Sequence, residues 1–246
     1  MKKIEKRLNM IKVNGFTTDE EKHYDCPICK DLEYIIEGNR ARDCKCREAK
    51  NYQRILVRSG ISKAFQQKSF SNFSLKGKSK VLIAAKEMAE NYVKNFHDIK
   101  KNKHHSVAFL GQVGSGKTHL SIAIANDLMK ENVGVLYMQY REAMTGLKQN
   151  IMDEAYYQNE IAKYKTATVL LIDDLYKGKI SPTDHNIMFE IINYRYLKGA
   201  PVIISSEYRV EELLAFDEAI GSRMIEMCRG RIIEFEGIDL NHRLAL

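Results

Sequence analysis

A glycine-rich segment carries the strongest chemical signal in the sequence. It reads Gly111-Gln112-Val113-Gly114-Ser115-Gly116-Lys117-Thr118 and fits the pattern G-x-x-x-x-G-K-[ST]. The glycines let the backbone curl so that successive N–H groups point at a polyphosphate, and the following helix adds its positive end. In this pattern Lys117 reaches the β- and γ-phosphates, and the Thr118 hydroxyl lies on Mg²⁺. With the next residue, His119, the segment predicts a site for ATP and Mg²⁺; the alternative is a glycine-rich turn with an incidental lysine.

Two adjacent carboxylates follow an apolar run further along the chain. Asp173 and Asp174 come directly after Val169-Leu170-Leu171-Ile172. Acidic residues at the carboxyl end of a buried parallel strand point into the ligand crevice of an open α/β sheet. We therefore expect Asp173 to hold Mg²⁺, directly or through water, and Asp174 to orient or deprotonate the attacking water. The alternative is an ordinary strand end without a catalytic role.

Four cysteines lie close together near the start of the sequence. Cys26 and Cys29 form a C-P-x-C pair, and Cys44 and Cys46 form a C-x-C pair. Two such pairs brought together make the tetrahedral set of four thiolates that structural Zn²⁺ prefers, so we predict a structural zinc site at these residues. A redox C-x-x-C motif and unligated cysteines are the alternatives, and His23 could replace one thiolate.

The periodicity of apolar residues predicts the elements that position these side chains. Helical spacing indicates helices over residues 80–96, 119–130, 141–150, 186–196 and 209–220, and a further helix after the last cysteine pair. Short apolar runs indicate strands over residues 106–110, 133–138, 168–172 and 201–205. A hairpin is expected between the cysteine pairs, where polar and apolar residues alternate up to Gly38-Asn39. Strands that alternate with helices predict an α/β fold with a parallel sheet covered on both faces.

Length and composition limit the classes of protein that remain. The chain has 246 residues, 44% of them hydrophobic and 29% charged, and a net charge of +7, which excludes a mainly disordered protein. No apolar run approaches the ~18–20 residues that span a bilayer, and no signal peptide is recognisable, so we expect a cytoplasmic protein without a membrane partner. We expect an N-terminal zinc-binding region over residues 1–60, a linker over 61–78 and an ATPase domain over 79–246.

Taken together, the motifs resemble a known family. The phosphate-binding pattern, the paired aspartates, the paired cysteines and the run Ile220-Gly221-Ser222-Arg223-Met224 resemble the bacterial and phage helicase loaders, the DnaC/DnaI-like AAA+ ATPases, over residues 24–243. The resemblance implies an AAA+ P-loop ATPase domain behind a small zinc-binding region. Asp174 stands where many related ATPases carry glutamate, and its shorter side chain is consistent with slow hydrolysis. The IstB-like transposition helper ATPases share the AAA+ half, but the cysteine-rich region favours the loaders.

The resemblance also implies roles for residues outside the main motifs. Glu207 stands where the family has its polar sensor residue, usually asparagine, and Ser206 is the alternative sensor. Arg223 matches the arginine that is presented to the ATP of a neighbouring subunit, which implies self-association; the alternative is an arginine that anchors its own helix through Glu226. Arg243 falls where a second sensor arginine is found in the loaders, and the alternative is a solvated tail residue.

Basic residues make nucleic acid a possible partner. One set lies on the predicted helix after the zinc ligands: Lys45, Arg47, Lys50, Arg54 and Arg58. A second run covers residues 100–105, and a third set interleaves aromatic rings with cations: Tyr137, Tyr140, Arg141, Tyr156, Tyr157, Lys163, Tyr164 and Lys165. Bases of a single strand stack on aromatic rings while cations follow the phosphates. The alternative is a set of solvated charged faces, with Tyr137 in the core.

Three hypotheses for function follow. The leading one is an ATP-dependent helicase loader that binds a DnaB-type replicative helicase hexamer, single-stranded DNA and copies of itself. The second is a transposition-type regulatory ATPase that acts on duplex DNA. The third is an adaptor that binds ATP and barely hydrolyses it.

Overall fold

The computed structural model describes residues 24–38, 40–58, 66–75, 79–237 and residue 241. The chain divides into two units, one of residues 1–44 and one of residues 45–246. In the described part of the chain, no helix combines the length and the apolar character needed to cross a bilayer.

The first unit contains the hairpin that the alternating pattern predicts. Strand β1 (Tyr34–Glu37) pairs antiparallel with strand β2 (Arg40–Asp43). The turn between them begins at Gly38, whose φ of +61° lies in the left-handed region that glycine adopts without strain. The hairpin carries the chain from the first cysteine pair to the second.

The second unit alternates strands and helices. Its strands are β3 (Val107–Gly111), β4 (Val135–Gln139), β5 (Val169–Leu175), β6 (Val202–Ser206) and β7 (Ile232–Phe235). Its helices are α1 (Cys46–Arg58), α2 (Lys80–Lys94), α3 (Phe96–Ile99), α4 (Lys117–Lys130), α5 (Tyr140–Gln149), α6 (Glu154–Thr166), α7 (Pro182–Lys198), α8 (Val210–Phe216) and α9 (Glu218–Met227).

The five strands form one parallel sheet in the order β4-β5-β6-β3-β7. The chain leaves β3 for the far edge, returns strand by strand to β6, and then crosses to the other side of β3 for β7. The connections that leave the neighbouring strands β3 and β6 therefore run in opposite directions across the sheet. Open α/β sheets bind ligands at the carboxyl ends of two such strands.

The sheet is buried on both faces, as a parallel sheet requires. Alternate residues of β5 enter two different cores: Leu170 and Ile172 pack with α7, whereas Val169 and Leu171 pack with α4. Helices on both faces of the parallel sheet confirm the predicted α/β fold. Because both faces of β5 are buried, the strand begins with a continuous apolar run.

The structure differs from the predicted elements in several places, and the helix expected over residues 80–96 is divided into α2 and α3. The helix expected over residues 209–220 is two helices, α8 and α9, because Asp217 ends the first and caps the second by accepting a hydrogen bond of 3.0 Å from the Ile220 N–H. Gly221-Ser222-Arg223 therefore lies within α9 rather than after a helix. Helix α6 and strand β7 were not predicted, since α6 carries few apolar residues and β7 is only four residues long.

Candidate active site

The glycine-rich segment forms the loop between β3 and α4. Gly111 and Gly116 have φ values of +96° and +93°, so both positions favour glycine. A Cβ atom on Gly116 would lie 2.6 Å from the Phe73 ring, and one on Gly111 would lie 2.6 Å from the Phe235 carbonyl oxygen. The loop is therefore closely packed from both sides, and it leads directly into the N-terminus of α4, where backbone N–H groups favour an anion.

Lys117 is the first residue of α4 and is buried. Its Nζ donates hydrogen bonds of 2.7 Å to the Gly111 carbonyl and 2.6 Å to the Gln112 carbonyl. The Ser115 hydroxyl donates to the same Gln112 carbonyl at 2.8 Å. The ammonium group is thus held against the loop, within the part of the site where the sequence places the phosphates.

Asp173 receives hydrogen bonds from three hydroxyl groups. Thr118 Oγ1 donates to Oδ1 at 2.8 Å, Tyr137 donates to Oδ2 at 3.0 Å, and Ser205 donates to Oδ1. Burial raises the pKa of the Asp173 carboxyl, the nearby Asp174 raises it further, and the hydroxyl donors only partly oppose the shift. Thr118 and Asp173 together present hard oxygen ligands of the kind that Mg²⁺ prefers.

The backbone of β5 is irregular where the two aspartates lie. Pairing between β5 and β6 is regular up to Ile172 and resumes at Leu175. Asp174 has a φ of +55°, and its N–H donates to Ser205 Oγ at 3.0 Å. Such an irregularity aims neighbouring side chains differently from a regular strand. The Asp173 side chain accordingly lies among the hydroxyl groups, whereas Asp174 lines the open cavity.

Two ion pairs join Lys177, Asp174 and Glu207 beside the end of β5. Lys177 Nζ lies 2.9 Å from Asp174 Oδ2 and 3.0 Å from Glu207 Oε1. Of the two predicted sensor residues, Glu207 lines the cavity, whereas Ser206 is buried and donates to the Leu175 carbonyl at 2.8 Å.

These groups enclose a cavity of about 380 Å³. The residues that line it are Lys68, Asn72, Phe73, Ser74, Val113, Gly114, Gly116, Lys117, Thr118, His119, Asp174, Lys177 and Glu207. The predicted phosphate loop, one predicted carboxylate and one predicted sensor residue therefore meet in one place.

The segment of residues 66–75 is a part of the wall that sequence reasoning assigned to a linker. His119 Nε2 donates to the Ser69 carbonyl at 2.9 Å, and its ring meets Phe73 edge-on at a centroid distance of 5.2 Å. Burial lowers the pKa of His119, which keeps the ring neutral. The phenylalanines of this segment were the available signal, since a linker has no need of buried aromatic rings.

Arg223 lies outside the described residues that line the cavity. Its guanidinium stacks on the rings of Phe189 and Tyr196, at 5.3 and 5.7 Å, and donates to the Ala219 carbonyl at 2.5 Å. Glu226, the alternative anchor, accepts a hydrogen bond from the Tyr196 hydroxyl at 2.8 Å.

The predicted second sensor, Arg243, lies outside the described residues. Asn241 is described, and its side chain lies so close to Gly114 that a Cβ there would be 2.1 Å from the Asn241 Oδ1 atom. The C-terminal segment thus reaches the phosphate loop at this position.

The four cysteines of the predicted metal site come together. All are buried, and their sulfur atoms lie within 4.8 Å of one another. Cys26 Sγ and Cys44 Sγ are 3.8 Å apart, close to the spacing of about 3.8 Å that a tetrahedral site with Zn–S bonds of about 2.3 Å requires. Asp31 supports the first pair by accepting a hydrogen bond of 3.0 Å from the Cys26 N–H. The cluster can hold one zinc ion.

The interleaved aromatic and basic residues are largely engaged within the protein. The Tyr140 side chain is buried, and the Tyr137 hydroxyl donates to Asp173. On α6, Lys163 pairs with a glutamate one turn away, and Lys165 pairs with Glu190 at 3.0 Å. Tyr156 is the most exposed ring of this group, at 40%.

Comparison with known proteins gives one family match and several relatives. A family model described as "IstB-like ATP binding protein" matches residues 32–227. The protein XkdC of the phage-like element PBSX of Bacillus subtilis (strain 168) is 40% identical over 233 residues, which cover 90% of this chain and 86% of that protein. The replicative helicase loader DnaC of Buchnera aphidicola subsp. Baizongia pistaciae is 29% identical over 74% of this chain and 71% of that protein. A crystal structure of DnaI superposes with a TM-score of 0.58 at 24% identity, over 74% of this chain and 94% of that one, a likeness of fold.

Proposed function

The chain belongs to the family of IstB-like ATP binding proteins, and on that basis we propose that it is a helicase loader whose switch is ATP binding and slow ATP hydrolysis. The resemblance to the DnaC/DnaI-like loaders is confirmed by the relatives that match most of the chain. An ATP-binding AAA+ domain and a role in DNA replication agree with both the family and these relatives.

The hydrogen bond between Thr118 and Asp173 is the main structural support for the ATP site. It joins the phosphate loop to the end of β5 at 2.8 Å, although the two residues lie far apart in the sequence. A hydroxyl and a carboxylate in this arrangement are the ligands expected for a magnesium nucleotide. A glycine-rich turn without a nucleotide would not need a buried carboxylate beside it, since burying the charge is costly.

ATP binding uses the loop and its lysine. The backbone N–H groups of the loop and of the first turn of α4 bind the phosphates, and Lys117 exchanges its bonds to the loop carbonyls for phosphate oxygens. Thr118 and Asp173 would hold Mg²⁺, and the ion would supply positive charge that neutralises the phosphates. Phe73 and His119 line the side of the cavity where residues 66–75 lie.

Hydrolysis requires a base or water-orienting group at the far end of the phosphates. Asp174 has that role, because its carboxylate lines the cavity beside the Mg²⁺ ligands. Arg223 supplies positive charge to the ATP of a neighbouring subunit, so that hydrolysis depends on self-association. Its guanidinium rests on two rings at 5.3 and 5.7 Å, which hold it away from its own cavity.

The cysteine cluster and the hairpin form a zinc-stapled module that binds the replicative helicase hexamer. A small polar module gains its folding energy from the metal, as structural zinc sites do. Single-stranded DNA binds to the ATPase domain, and the protein acts in the cytoplasm.

The family description favours one second candidate. IstB-like helper ATPases share the same kind of site, so a regulatory ATPase on duplex DNA would have the same cavity and a different partner. The cysteine cluster weighs toward the loader, since it supplies a separate module for a protein partner.

ATP turnover and binding assays with three additions separate these functions. The purified protein is assayed alone, with the replicative helicase of the source cell, with a single-stranded oligonucleotide and with the same sequence as a duplex. A loader forms a complex with the helicase by size-exclusion chromatography, and the single strand changes its turnover more than the duplex does. Stimulation by duplex alone, without a helicase complex, identifies the transposition-type ATPase. Binding of ATP without turnover under every condition identifies an adaptor.

A further inference from the structure

Lys177 is a cation in the candidate nucleotide cavity to which neither the family pattern nor the proposed mechanism gives a role. It follows β5 in the turn after the two aspartates, and it lines the same cavity as Lys117. Its Nζ lies 2.9 Å from Asp174 Oδ2 and 3.0 Å from Glu207 Oε1. One lysine thus engages both the predicted water-orienting carboxylate and the predicted sensor carboxylate.

Glu207 places a negative charge at the sensor position, and Lys177 lies close enough to neutralise it. A sensor residue has to favour an anionic phosphate, and Glu207 would repel one. Asp173 and Asp174 add further negative charge at the same end of the sheet. Lys177 is the cation that pairs with both Asp174 and Glu207, so it can reverse the sign of the surface that a terminal phosphate meets.

The backbone around Lys177 holds it at the cavity. The Lys177 N–H donates to the Asp174 carbonyl at 3.0 Å and closes a turn. Tyr176, the residue before it, has a φ of +61°, and its buried ring packs against Phe216 at a centroid distance of 4.8 Å. A conformation that is uncommon for tyrosine is therefore fixed by packing, and it turns the next side chain toward the cavity.

The ion pairs of Lys177 with Asp174 and Glu207 are weak enough for a phosphate group to replace these partners. The side chains of Lys177, Asp174 and Glu207 are 40%, 30% and 35% exposed, and ion pairs with this much solvent access are weak. Burial alone would lower the pKa of Lys177, but its hydrogen bonds to Asp174 and Glu207 raise it, so the amine stays charged. A phosphate group with several anionic oxygens competes well for such an ammonium group.

We propose that Lys177 binds the terminal phosphate of the nucleoside triphosphate and, by leaving Asp174, releases that carboxylate to orient water. This rests on the proposed function of the cavity as an ATP site. Lys177 contacts Asp174, the residue at the γ-phosphate end, so a triphosphate reaches it and a diphosphate ends short of it. The pair of Lys177 and Glu207 therefore performs the sensor role that a single asparagine performs elsewhere. Lys177 distinguishes ATP from ADP and couples that distinction to catalysis.

The test is the affinity of Lys177→Met for two nucleotides, with Lys179→Met as the matched control. Lys179 is an exposed lysine in the same loop and lies outside the cavity lining of the described residues. Dissociation constants for a non-hydrolysable ATP analogue and for ADP are measured by calorimetry in the presence of Mg²⁺. A hydrogen bond from a charged donor supports an effect of about tenfold or more. We expect Lys177→Met to weaken binding of the analogue by about tenfold, to change ADP binding less than about twofold, and to lower kcat.

The same affinities are measured for two further variants, Lys177→Arg and Lys179→Met. Lys177→Arg keeps the charge and should restore part of the preference for the triphosphate, whereas Lys179→Met should resemble the wild type. An unchanged ratio of the two affinities in Lys177→Met overturns the proposal, and so does a rise in kcat at unchanged affinities, because it identifies a lysine that only restrains Asp174. A wild-type protein that binds neither nucleotide contradicts the proposed function itself, so the two failures are distinguishable.

Discussion

The hydroxyl of Thr118 donates a hydrogen bond of 2.8 Å to Asp173 Oδ1, and this bond joins the start of α4 to the end of β5. The hydrogen bond holds the two oxygen atoms close together. Preorganisation of this kind has a cost, because Asp173 is almost fully buried and has no basic side chain among the hydrogen-bond donors that the structure gives it. The stability of the protein should reflect that cost.

We expect Asp173→Asn to raise the unfolding temperature of the nucleotide-free protein in EDTA. Because burial raises the pKa of Asp173, its contribution to stability is present at low pH and is lost as the pH rises through the folded-state pKa. The gain from Asp173→Asn should therefore be larger at about pH 8 than at about pH 5. Thermal unfolding across this range measures it, and a stability loss at about pH 8 would contradict this account of Asp173.

Asp184 is a control because its pKa is lowered, whereas the pKa of Asp173 is raised. Burial alone would raise its pKa, but the bonds from Lys148 and Ser181 lower it, so its contribution is present at neutral pH and lost as the pH falls. Asp184→Asn should destabilise the protein about equally at about pH 8 and about pH 5, because a carboxyl with a pKa below 3.8 is ionised at both, and the loss should shrink only below about pH 4.

Arg195 is the second buried group with a clear stability prediction. Its guanidinium is fully buried and donates to the carbonyls of Tyr164, Lys165, Ala167 and Pro201, at the end of α6 and before β6. Burial lowers its pKa to about 10, which leaves it charged at neutral pH. Arg195→Met removes this donor. The Pro201 carbonyl keeps a hydrogen bond from the Leu170 N–H, but the loss at the other three carbonyls should cost about 3 kcal/mol or more, since each buried unsatisfied group costs about 1–3 kcal/mol.

Urea unfolding measures this difference. Arg141→Met, at an exposed helical position, is the matched control and should change the free energy of unfolding by less than about 0.5 kcal/mol. Equal stabilities of the two variants would show that the carbonyls find other donors.

The cluster of four cysteines should bind zinc, and the metal content of the purified protein measures this. Protein purified under reducing conditions should contain about one Zn²⁺ per chain, because four buried sulfur atoms lie within 4.8 Å of one another. The double variant Cys26→Ser, Cys29→Ser should lose the metal and still bind ATP. Cys228→Ala removes a buried cysteine outside the cluster and should retain it. Wild-type protein without zinc by elemental analysis would refute the site.

The sequence predicted the parts of this molecule that depend on local pattern. The phosphate loop follows from glycine spacing, and the strand before Asp173 follows from an apolar run. The hairpin between the cysteine pairs follows from alternation that ends at Gly38. These features are encoded within a few residues, so they can be identified before the fold is known.

Features that depend on long-range packing were not predictable in this way. Phe73 reaches the phosphate loop because residues 66–75 pack along α4, and the phenylalanines of that segment indicate burial but not the loop they contact. Lys177 meets Glu207 only because β5 and β6 are neighbours in the sheet. The division between α8 and α9 depends on one capping aspartate, Asp217, within an otherwise helical pattern.

Arg223 should act on the ATP of a neighbouring subunit. Arg223→Ala should bind ATP as well as the wild type, because the guanidinium rests on Phe189 and Tyr196 and not on the cavity wall. It should lose the part of hydrolysis that assembly stimulates, and an arginine supplied in trans contributes about 10³–10⁵-fold in rate.

A mixing experiment tests the assignment in trans. Lys117→Ala subunits have no functional phosphate loop but keep Arg223, so adding them to Arg223→Ala subunits should restore part of the turnover. If no ratio restores turnover under conditions that support assembly, Arg223 is a structural residue that packs α9 on α7.

If one cavity both binds and hydrolyses ATP, Asp174→Asn should separate the two activities. Single-turnover conversion of ATP to ADP is followed for the wild type and the variant, with ATP binding measured on the same samples and Lys117→Ala as the non-binding reference. The variant should bind ATP within about threefold of the wild type and hydrolyse it at least about 10²-fold more slowly, the loss expected when a positioned base is removed. Hydrolysis at the wild-type rate by Asp174→Asn would show that this carboxylate does not orient the attacking water and that the proposed hydrolytic site is wrong.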